Sequence, residues 1–272
     1  MRRAVVAGAF YEADKRKLEE QLRDCFAGSG TSREENESII GGVVPHAGYL
    51  YSGNVAASVY AKLPPADIFV ILGTDHQSTG SPIAVSKETW VTPLGDVEVD
   101  EAFVDDLPGA IIELDETAHR YEHSIEVQLP FLQFLFGTKF LIVPVGIGSI
   151  DEGMAKEIGE VLADTIAKTK IKRDKKVVML ASSDFTHYEA DEIAREKDGY
   201  VIDSIIELDV PKFYKRVYER NVTVCGVNPV AVMMIAAKKL GAKEGKVVKY
   251  ATSGDITGDR SSVVGYGGIV VT

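Results

Sequence analysis

The sequence has only two cysteines, Cys25 and Cys225, and they lie near opposite ends of the chain. They form no C-x-x-C pair, and two distant thiols do not provide the disulfide framework of a small secreted protein. The acidic residues Glu12 and Asp14 also interrupt any apolar segment that could serve as a secretory signal near the start. We therefore expect a reduced protein of the cytoplasm.

Basic residues are in the minority. Lys and Arg total 30 against 41 Asp and Glu, which gives a net charge of −11. Nucleic acids and anionic membranes are bound largely through basic patches, so neither is expected as a partner. The one basic cluster, Lys168–Lys176, is predicted to be a solvated loop. The longest strongly apolar run, about residues 140–150, is too short to span a bilayer.

The sequence also lacks the common nucleotide-binding and serine-hydrolase motifs. It contains no Walker-type phosphate loop, no dinucleotide-binding G-x-G-x-x-G and no G-x-S-x-G elbow. What it does contain is an alternation of short apolar runs with helical patterns. That alternation predicts an α/β fold, with residues 1–272 forming a single three-layer domain around a mostly parallel or mixed central sheet.

Several patterns predict local structure. Asp14 is expected to cap a helix that runs through Phe26. Further helices are predicted over about residues 54–63 and 151–168, and residues 82–99 read as a hairpin or meander.

A helix is also predicted over residues 122–136, because Ile125, Leu129 and Leu132 keep helical spacing. In such a helix His123 and Glu126 would lie close together on an adjoining face.

Three predicted buried strands lead directly into polar residues. Val43–Val44 is followed by His46, Ile68–Leu72 by His76, and Val177–Leu180 by Asp184 and His187, as the sequence reads. Open α/β sheets keep their ligand sites just beyond the carboxyl ends of their strands. The sequence therefore predicts that these side chains form one site.

The residue types in this predicted site are those of a metal centre. Two imidazoles and one anionic ligand form the three-ligand set of non-haem iron enzymes and of catalytic zinc. The anionic ligand could be the Cys225 thiolate, Asp184 or Glu126. Taken singly, a histidine at a strand end is more often a hydrogen-bonded structural residue or a surface residue than a metal ligand.

The two cysteines are expected to differ in chemistry. Cys25 lies on the apolar stripe of the first helix and is predicted to be an inert core thiol. Cys225 precedes Gly226 and the predicted start of a helix, whose dipole stabilises an anion. Its thiol is therefore predicted to be acidic and metal-bound.

Seven segments together resemble the Memo family. They are VVPHAGYLYSG (43–53), ILGTDH (71–76), TPLGDVEVD (92–100), EHSIEVQLPFLQ (122–133), SSDFTHY (182–188), VCGVNP (224–229) and TSGDITGD…SSVVGYGG (252–268). The Memo family is itself similar in fold to the class III extradiol non-haem iron dioxygenases. The resemblance covers nearly the whole chain and implies that fold here.

The resemblance also implies roles for individual residues. It implies His46, His76 and Cys225 as metal ligands, with the thiolate in place of the carboxylate that ring-cleaving dioxygenases use. Asp184 and His187 would line the same cavity as catalytic residues, His187 in the position of an acid/base histidine. The helix motif supplies two further residues, His123 and Glu126, which would contact the metal ligands or the substrate without binding the metal.

Three functions follow as alternatives. The first is a metal-dependent oxidoreductase, in which a thiolate ligand favours iron or copper over magnesium or calcium. The second is a recognition protein that binds a peptide or small molecule in the same cleft, since Memo relatives in animals are linked to the binding of signalling peptides. The third is zinc-dependent hydrolysis, because two histidines and a cysteine also form a catalytic zinc set.

Overall fold

The computed structural model describes all 272 residues. The α-helices are α1 (Lys15–Ser29), α2 (Tyr49–Tyr60), α3 (Glu101–Asp105), α4 (Glu116–His119), α5 (Leu129–Phe136), α6 (Glu152–Arg173), α7 (Asp191–Ile206), α8 (Val210–Glu219), α9 (Val227–Lys239) and α10 (Gly254–Thr257). The β-strands are β1 (Gly41–Val44), β2 (Ile68–Thr74), β3 (Ile83–Val85), β4 (Trp90–Thr92), β5 (Gly95–Val97), β6 (Glu113–Leu114), β7 (Leu141–Ile147), β8 (Val177–Ser182), β9 (His187–Glu189), β10 (Gly245–Thr252) and β11 (Val263–Val271).

The main sheet has the strand order β10-β11-β1-β8-β2-β7-β3-β6, and β9 pairs with β11 beside this path. The four central strands β1, β8, β2 and β7 are parallel to one another, whereas β11 and β3 join them in antiparallel fashion on either side. The central strands are buried along almost their whole length, as expected of strands covered on both faces. The predicted α/β fold with a mixed sheet is confirmed.

Helices cover both faces of this sheet. Gly41 and Gly42 are consecutive residues of β1, so a side chain at each would point to opposite faces. One at Gly41 would meet Met233 of α9, and one at Gly42 would approach Val59 of α2. Since α6 packs on α9 and α1 packs on α2, each face carries a helical layer.

The sheet topology explains why the predicted site residues converge. Strands β1, β8 and β2 are immediate neighbours and run in the same direction. Their carboxyl ends therefore meet at one edge, where His46, Asp184 and His76 follow them.

Two local predictions are confirmed. Asp14 caps α1, because its side chain accepts hydrogen bonds from the backbone N–H groups of Arg16 and Lys17. The predicted hairpin also forms, with β4 and β5 pairing antiparallel, although β3 from the same stretch joins the main sheet instead.

The predicted continuous helix over residues 122–136 is wrong. A short 3-10 turn occupies Glu126–Gln128, and the α-helix begins only at Leu129. Pro130 in the first turn has no backbone N–H and disfavours a helical turn before it, so α5 does not extend back to His123. The two residues expected on one helix face therefore do not share a helix.

The predicted loop at Lys168–Lys176 is also wrong, because most of it continues α6 to Arg173. Three basic residues lie in the last turn of this helix, where the negative end of the helix dipole favours them. Likewise α2 begins at Tyr49, several residues before the predicted start. None of the helices, α6 included, combines the length and apolar character that a bilayer crossing requires.

Candidate metal centre

His46 lies two residues beyond β1 and is almost fully buried. Its backbone N–H donates to Asp184 Oδ1 at 2.9 Å, and its ring Nδ1 lies 3.0 Å from Ser182 Oγ. Desolvation by burial holds the pKa of this imidazole well below its usual value, and the neighbouring histidines act in the same direction. The neutral imidazole that results is the form that binds a metal.

His76 is oriented by a carboxylate. Its Nδ1 lies 3.0 Å from Glu122 Oε1, and its backbone N–H donates to Glu122 Oε2 at 2.7 Å. Burial alone would lower the pKa of His76, but the hydrogen bond and the charge of Glu122 leave it raised. An imidazole whose second nitrogen is held by a carboxylate is the usual arrangement of a metal-binding histidine.

The same interaction acts on the buried Glu122. Burial favours its neutral form, but the hydrogen bond to His76, the charge of His76 and the backbone N–H groups of His76 and Ser124 outweigh this and lower its pKa to about 2. Glu122 therefore stays ionised beside the site near neutral pH.

His123 supplies a third imidazole. Its ring stacks on that of His76 with centroids 4.7 Å apart, and it stands edge-on to His46 at 5.4 Å. The rings of His46 and His76 are 5.0 Å apart. One nitrogen from each of the three residues lies within 4.8 Å of the others. We call His46, His76 and His123 the histidine cluster.

Cys225 borders the histidine cluster, with Sγ 3.2 Å from His46 Nε2. The backbone N–H of Asp184 donates to the same sulfur at 3.1 Å. Burial raises the pKa of the thiol, and the nearby Asp184 carboxylate raises it further. The prediction of an acidic Cys225 is therefore wrong for the metal-free protein, because desolvation outweighs the dipole of α9, which begins just after Gly226.

Asp184 interacts both with His46, a proposed metal ligand, and with His187, the proposed acid/base residue. It is buried, and desolvation raises its pKa to about 6, while the His46 backbone N–H and the charge of His187 act in the opposite direction. The Asp184 carboxylate is thus influenced by a proposed metal ligand and by the proposed acid/base histidine at the same time.

His187 is the first residue of β9, which pairs with β11, and it is not a member of the histidine cluster. Its Nδ1 lies 2.8 Å from the Thr223 carbonyl oxygen, and its backbone N–H donates to Thr223 Oγ1 at 2.7 Å. A carbonyl can only accept, so Nδ1 carries the hydrogen and Nε2 is left as the nitrogen that can exchange a proton.

Glu126, the residue expected behind the metal ligands or on the substrate side, contacts the N-terminal segment. It is fully buried, and its carboxylate pairs with Arg2, accepts the hydroxyl of Tyr11 at 2.6 Å and accepts the backbone N–H of Val5 at 2.9 Å. Its oxygens are thereby engaged by the N-terminal segment.

The sequence patterns did not point to two further residues, Glu122, which contacts His76, and Gln128, which contacts Ser182 beside His46. Glu122 precedes His123 directly, and a carboxylate next to a candidate ligand is a signal for a histidine-orienting group. Gln128 stands among apolar residues at the start of α5, and a polar side chain in such a run must find buried partners.

The donor set suits a transition metal. Imidazole nitrogen and thiolate sulfur bind iron, copper and zinc, whereas magnesium and calcium prefer oxygen ligands. Two carboxylates that contact the proposed ligands already have partners: Glu122 holds His76, and Asp184 accepts from the His46 backbone. The residues present therefore fit a bound iron, copper or zinc ion.

Comparison with known proteins gives matches along the whole chain. The family described as "Memo-like protein" matches residues 2–270. A "MEMO1 family protein" of Methanosarcina mazei is 50% identical over 271 residues, covering 100% of this chain and 99% of the relative. Proteins of the same description from Archaeoglobus fulgidus and Nitrosopumilus maritimus are 47% and 41% identical, each covering 99% of this chain and 99% and 98% of the relative.

Among solved structures, the chain is similar to an uncharacterized protein, JW3007, from Escherichia coli K12. The TM-score is 0.49 at 13% sequence identity, covering 76% of this chain and 87% of the other.

Proposed function

The chain belongs to the Memo family, and we propose that it is a metal-dependent oxidoreductase that holds iron or copper at His46, His76 and Cys225. His123 adds a third imidazole nitrogen within reach of the same ion. The single observation that carries the proposal is this convergence of three histidine nitrogens and one thiol at the edge of the sheet.

The metal would supply one-electron redox chemistry toward dioxygen or a reduced oxygen species. The protein's own residues orient the ligands and handle protons. Glu122 fixes the ring of His76, and Asp184 holds the backbone of His46. His187, anchored through Nδ1 on Thr223, can donate or accept a proton at Nε2 and so suits the acid/base role.

The thiol distinguishes iron and copper from harder ions. A thiolate is a soft ligand, which selects against magnesium and calcium. Both cysteines are free thiols, and a reducing cytoplasm would keep Cys225 available to a metal. We therefore place the proposed activity in that compartment.

Metal analysis of protein purified without chelator, histidine tag or nickel resin tests the proposal. We expect close to one iron or copper per chain, lost in His46→Ala and in His76→Ala. Cys225→Ser should weaken metal binding. Its matched control is Cys25→Ser, which should not, because Cys25 is a free buried thiol in the core. Stoichiometric zinc would favour the hydrolase, and a wild-type protein that binds none of these metals would refute the proposal.

One observation favours the alternative of a recognition protein. Three large side chains in the segments that carry site residues are exposed: Tyr51, Tyr121 and Tyr188. Tyr188, directly after His187, has a φ of 61°, a left-handed conformation that is uncommon for a bulky residue. Exposed aromatic side chains are typical of surfaces that bind a partner. Peptide or small-molecule binding that is indifferent to metal would identify this function.

A further inference from the structure

A series of hydrogen-bonded, buried polar side chains extends from His46 Nδ1 into the core. His46 Nδ1 is 3.0 Å from Ser182 Oγ, Ser182 Oγ is 2.9 Å from Gln128 Nε2, and Gln128 Oε1 is 2.8 Å from the hydroxyl of Tyr60. Ser182, Gln128 and Tyr60 are fully buried. Bulk water therefore cannot reach these groups, and each of their hydrogens must be donated to an acceptor in the protein.

Two backbone carbonyls fix the direction of every hydrogen bond in this series. Gln128 Nε2 lies 3.0 Å from the Pro45 carbonyl oxygen, and Ser182 Oγ lies 2.7 Å from the Ser124 carbonyl oxygen. A carbonyl can only accept. The amide of Gln128 must therefore turn its NH₂ toward Pro45, with its second hydrogen toward Ser182, and it accepts from Tyr60.

The hydrogen count at Ser182 then determines the state of His46. The Ser182 hydroxyl has one hydrogen, and the Ser124 carbonyl takes it. Its oxygen already accepts from Gln128, so the contact with His46 Nδ1 is satisfied only if that nitrogen brings a hydrogen. His46 is then the Nδ1–H tautomer, with the lone pair on Nε2, the nitrogen that faces Cys225 Sγ.

We propose that Ser182 and Gln128 are positioning residues that hold His46 as the Nδ1–H tautomer and so keep Nε2 open for a metal. The consequence for metal binding rests on the proposed function, whereas the tautomer itself does not. We call Ser182 and Gln128 the relay. His76 is held by a charged acceptor, Glu122, and His46 by the neutral relay, so the two proposed imidazole ligands are oriented by different means.

Nitrogen-15 NMR of metal-free protein labelled at histidine tests the tautomer directly. The chain has 5 histidines, so only five ring systems contribute, and the signals of His46 are assigned from their loss in His46→Gln. The spectrum is recorded above neutral pH. We expect His46 to show a protonated Nδ1 and an unprotonated Nε2. A hydrogen on Nε2 would overturn the proposal, and this measurement needs no variant of the relay.

Variants of Ser182 test the cause. Ser182→Ala removes the acceptor, so we expect His46 to lose its Nδ1–H preference and metal affinity to fall by about 10- to 100-fold. Ser182→Thr keeps the hydroxyl and should restore both. Ser58→Ala is the matched control, because Ser58 is a fully buried serine whose hydroxyl donates only to the Val55 carbonyl, away from the site. An unchanged tautomer in Ser182→Ala would refute the positioning role.

The two proposals fail separately. If His46 is the Nδ1–H tautomer and Ser182→Ala changes it, the relay stands even where no metal binds, and only the proposed function is lost. If wild-type protein binds iron or copper but His46 carries its hydrogen on Nε2 in the metal-free state, the relay is refuted and the metal centre stands.

Discussion

Arg2 and Glu126 form an ion pair in which both side chains are almost completely withdrawn from solvent. The guanidinium of Arg2 also donates from Nε to the His119 carbonyl at 3.2 Å and lies over the Trp90 ring at 4.4 Å. On the other side, Glu126 accepts hydrogen bonds from Tyr11 and from the backbone of the N-terminal segment. This pair thus fastens the start of the chain to the segment that carries His123.

Glu126→Gln should destabilise the protein strongly. The variant keeps the shape of the side chain but leaves the buried Arg2 without its counter-charge, and breaking a buried pair in this way typically costs about 3–5 kcal/mol. The free energy of unfolding from urea titration measures the effect. Glu34→Gln is the matched control, since Glu34 pairs with Lys62 at an exposed position, and it should leave the unfolding free energy unchanged. Equal stability of the two variants would contradict the prediction.

The arrangement of Glu126 shows where reasoning from sequence reached its limit. The strand ends that carry His46, His76 and Asp184 were predictable, because apolar runs followed by polar residues are local patterns. The partner of Glu126 was not, because Arg2 lies 124 positions away and only the fold brings them together. The start of α5 was misjudged for a local reason, since apolar spacing was given more weight than Pro130.

The two cysteines were also only partly predictable from sequence, for the same reason. Their different settings could be recognised from sequence, but the protonation of Cys225 could not, because it depends on burial and on Asp184, which approaches from another strand. Gln128 was overlooked because its partners, Ser182, Pro45 and Tyr60, come from three separate segments.

Metal should protect Cys225 from alkylation and leave Cys25 unaffected. Burial raises the pKa of both thiols, that of Cys25 to about 12, so both react slowly when metal-free. Cys225 is the more accessible of the two and borders the histidine cluster. Mass spectrometry after iodoacetamide treatment, with and without iron or copper, measures the protection. We expect Cys225→Ser to weaken metal binding by about tenfold or more, and Cys25→Ser to leave it unchanged.

This comparison also decides the identity of the sulfur ligand. Protection of Cys25, or protection of neither thiol, would remove Cys225 from the metal centre. If metal still bound with full affinity in Cys225→Ser, the three imidazoles of the histidine cluster would be the ligand set.

His187→Ala should retain bound metal while changing reactivity toward oxygen. The His187 side chain is anchored on Thr223 and does not belong to the histidine cluster. Its loss should therefore remove a proton-exchanging group but no metal ligand. Metal content and the rate of oxygen consumption with a chemical reductant measure the two properties. His46→Ala provides the comparison, and a His187→Ala protein that lost metal to the same extent would show that His187 is a ligand.

Acid should destabilise the protein partly through His119. This residue is buried against Trp90, and neither of its ring nitrogens makes a hydrogen bond of ordinary geometry. Desolvation lowers its pKa to about 4, although the nearby Ala84 carbonyl favours the charged form. The unfolded chain, with a histidine pKa of about 6.5, therefore binds the proton first as the pH falls. Stability from neutral His119 is fully present above about pH 6.5 and is lost between about pH 6.5 and 4, by about 3 kcal/mol in total.

His119→Leu isolates this contribution, because leucine fills a similar apolar space and does not titrate. His46 is also buried with a lowered pKa, so the wild-type stability falls with acid for more than one reason, and only the difference between wild type and variant reports on His119. Urea unfolding at a series of pH values should give parallel curves above pH 6.5 and a shallower decline for His119→Leu below it. Curves that stay parallel down to pH 4 would mean that His119 takes up its proton equally readily in the folded and unfolded chains, and that burial does not keep it neutral.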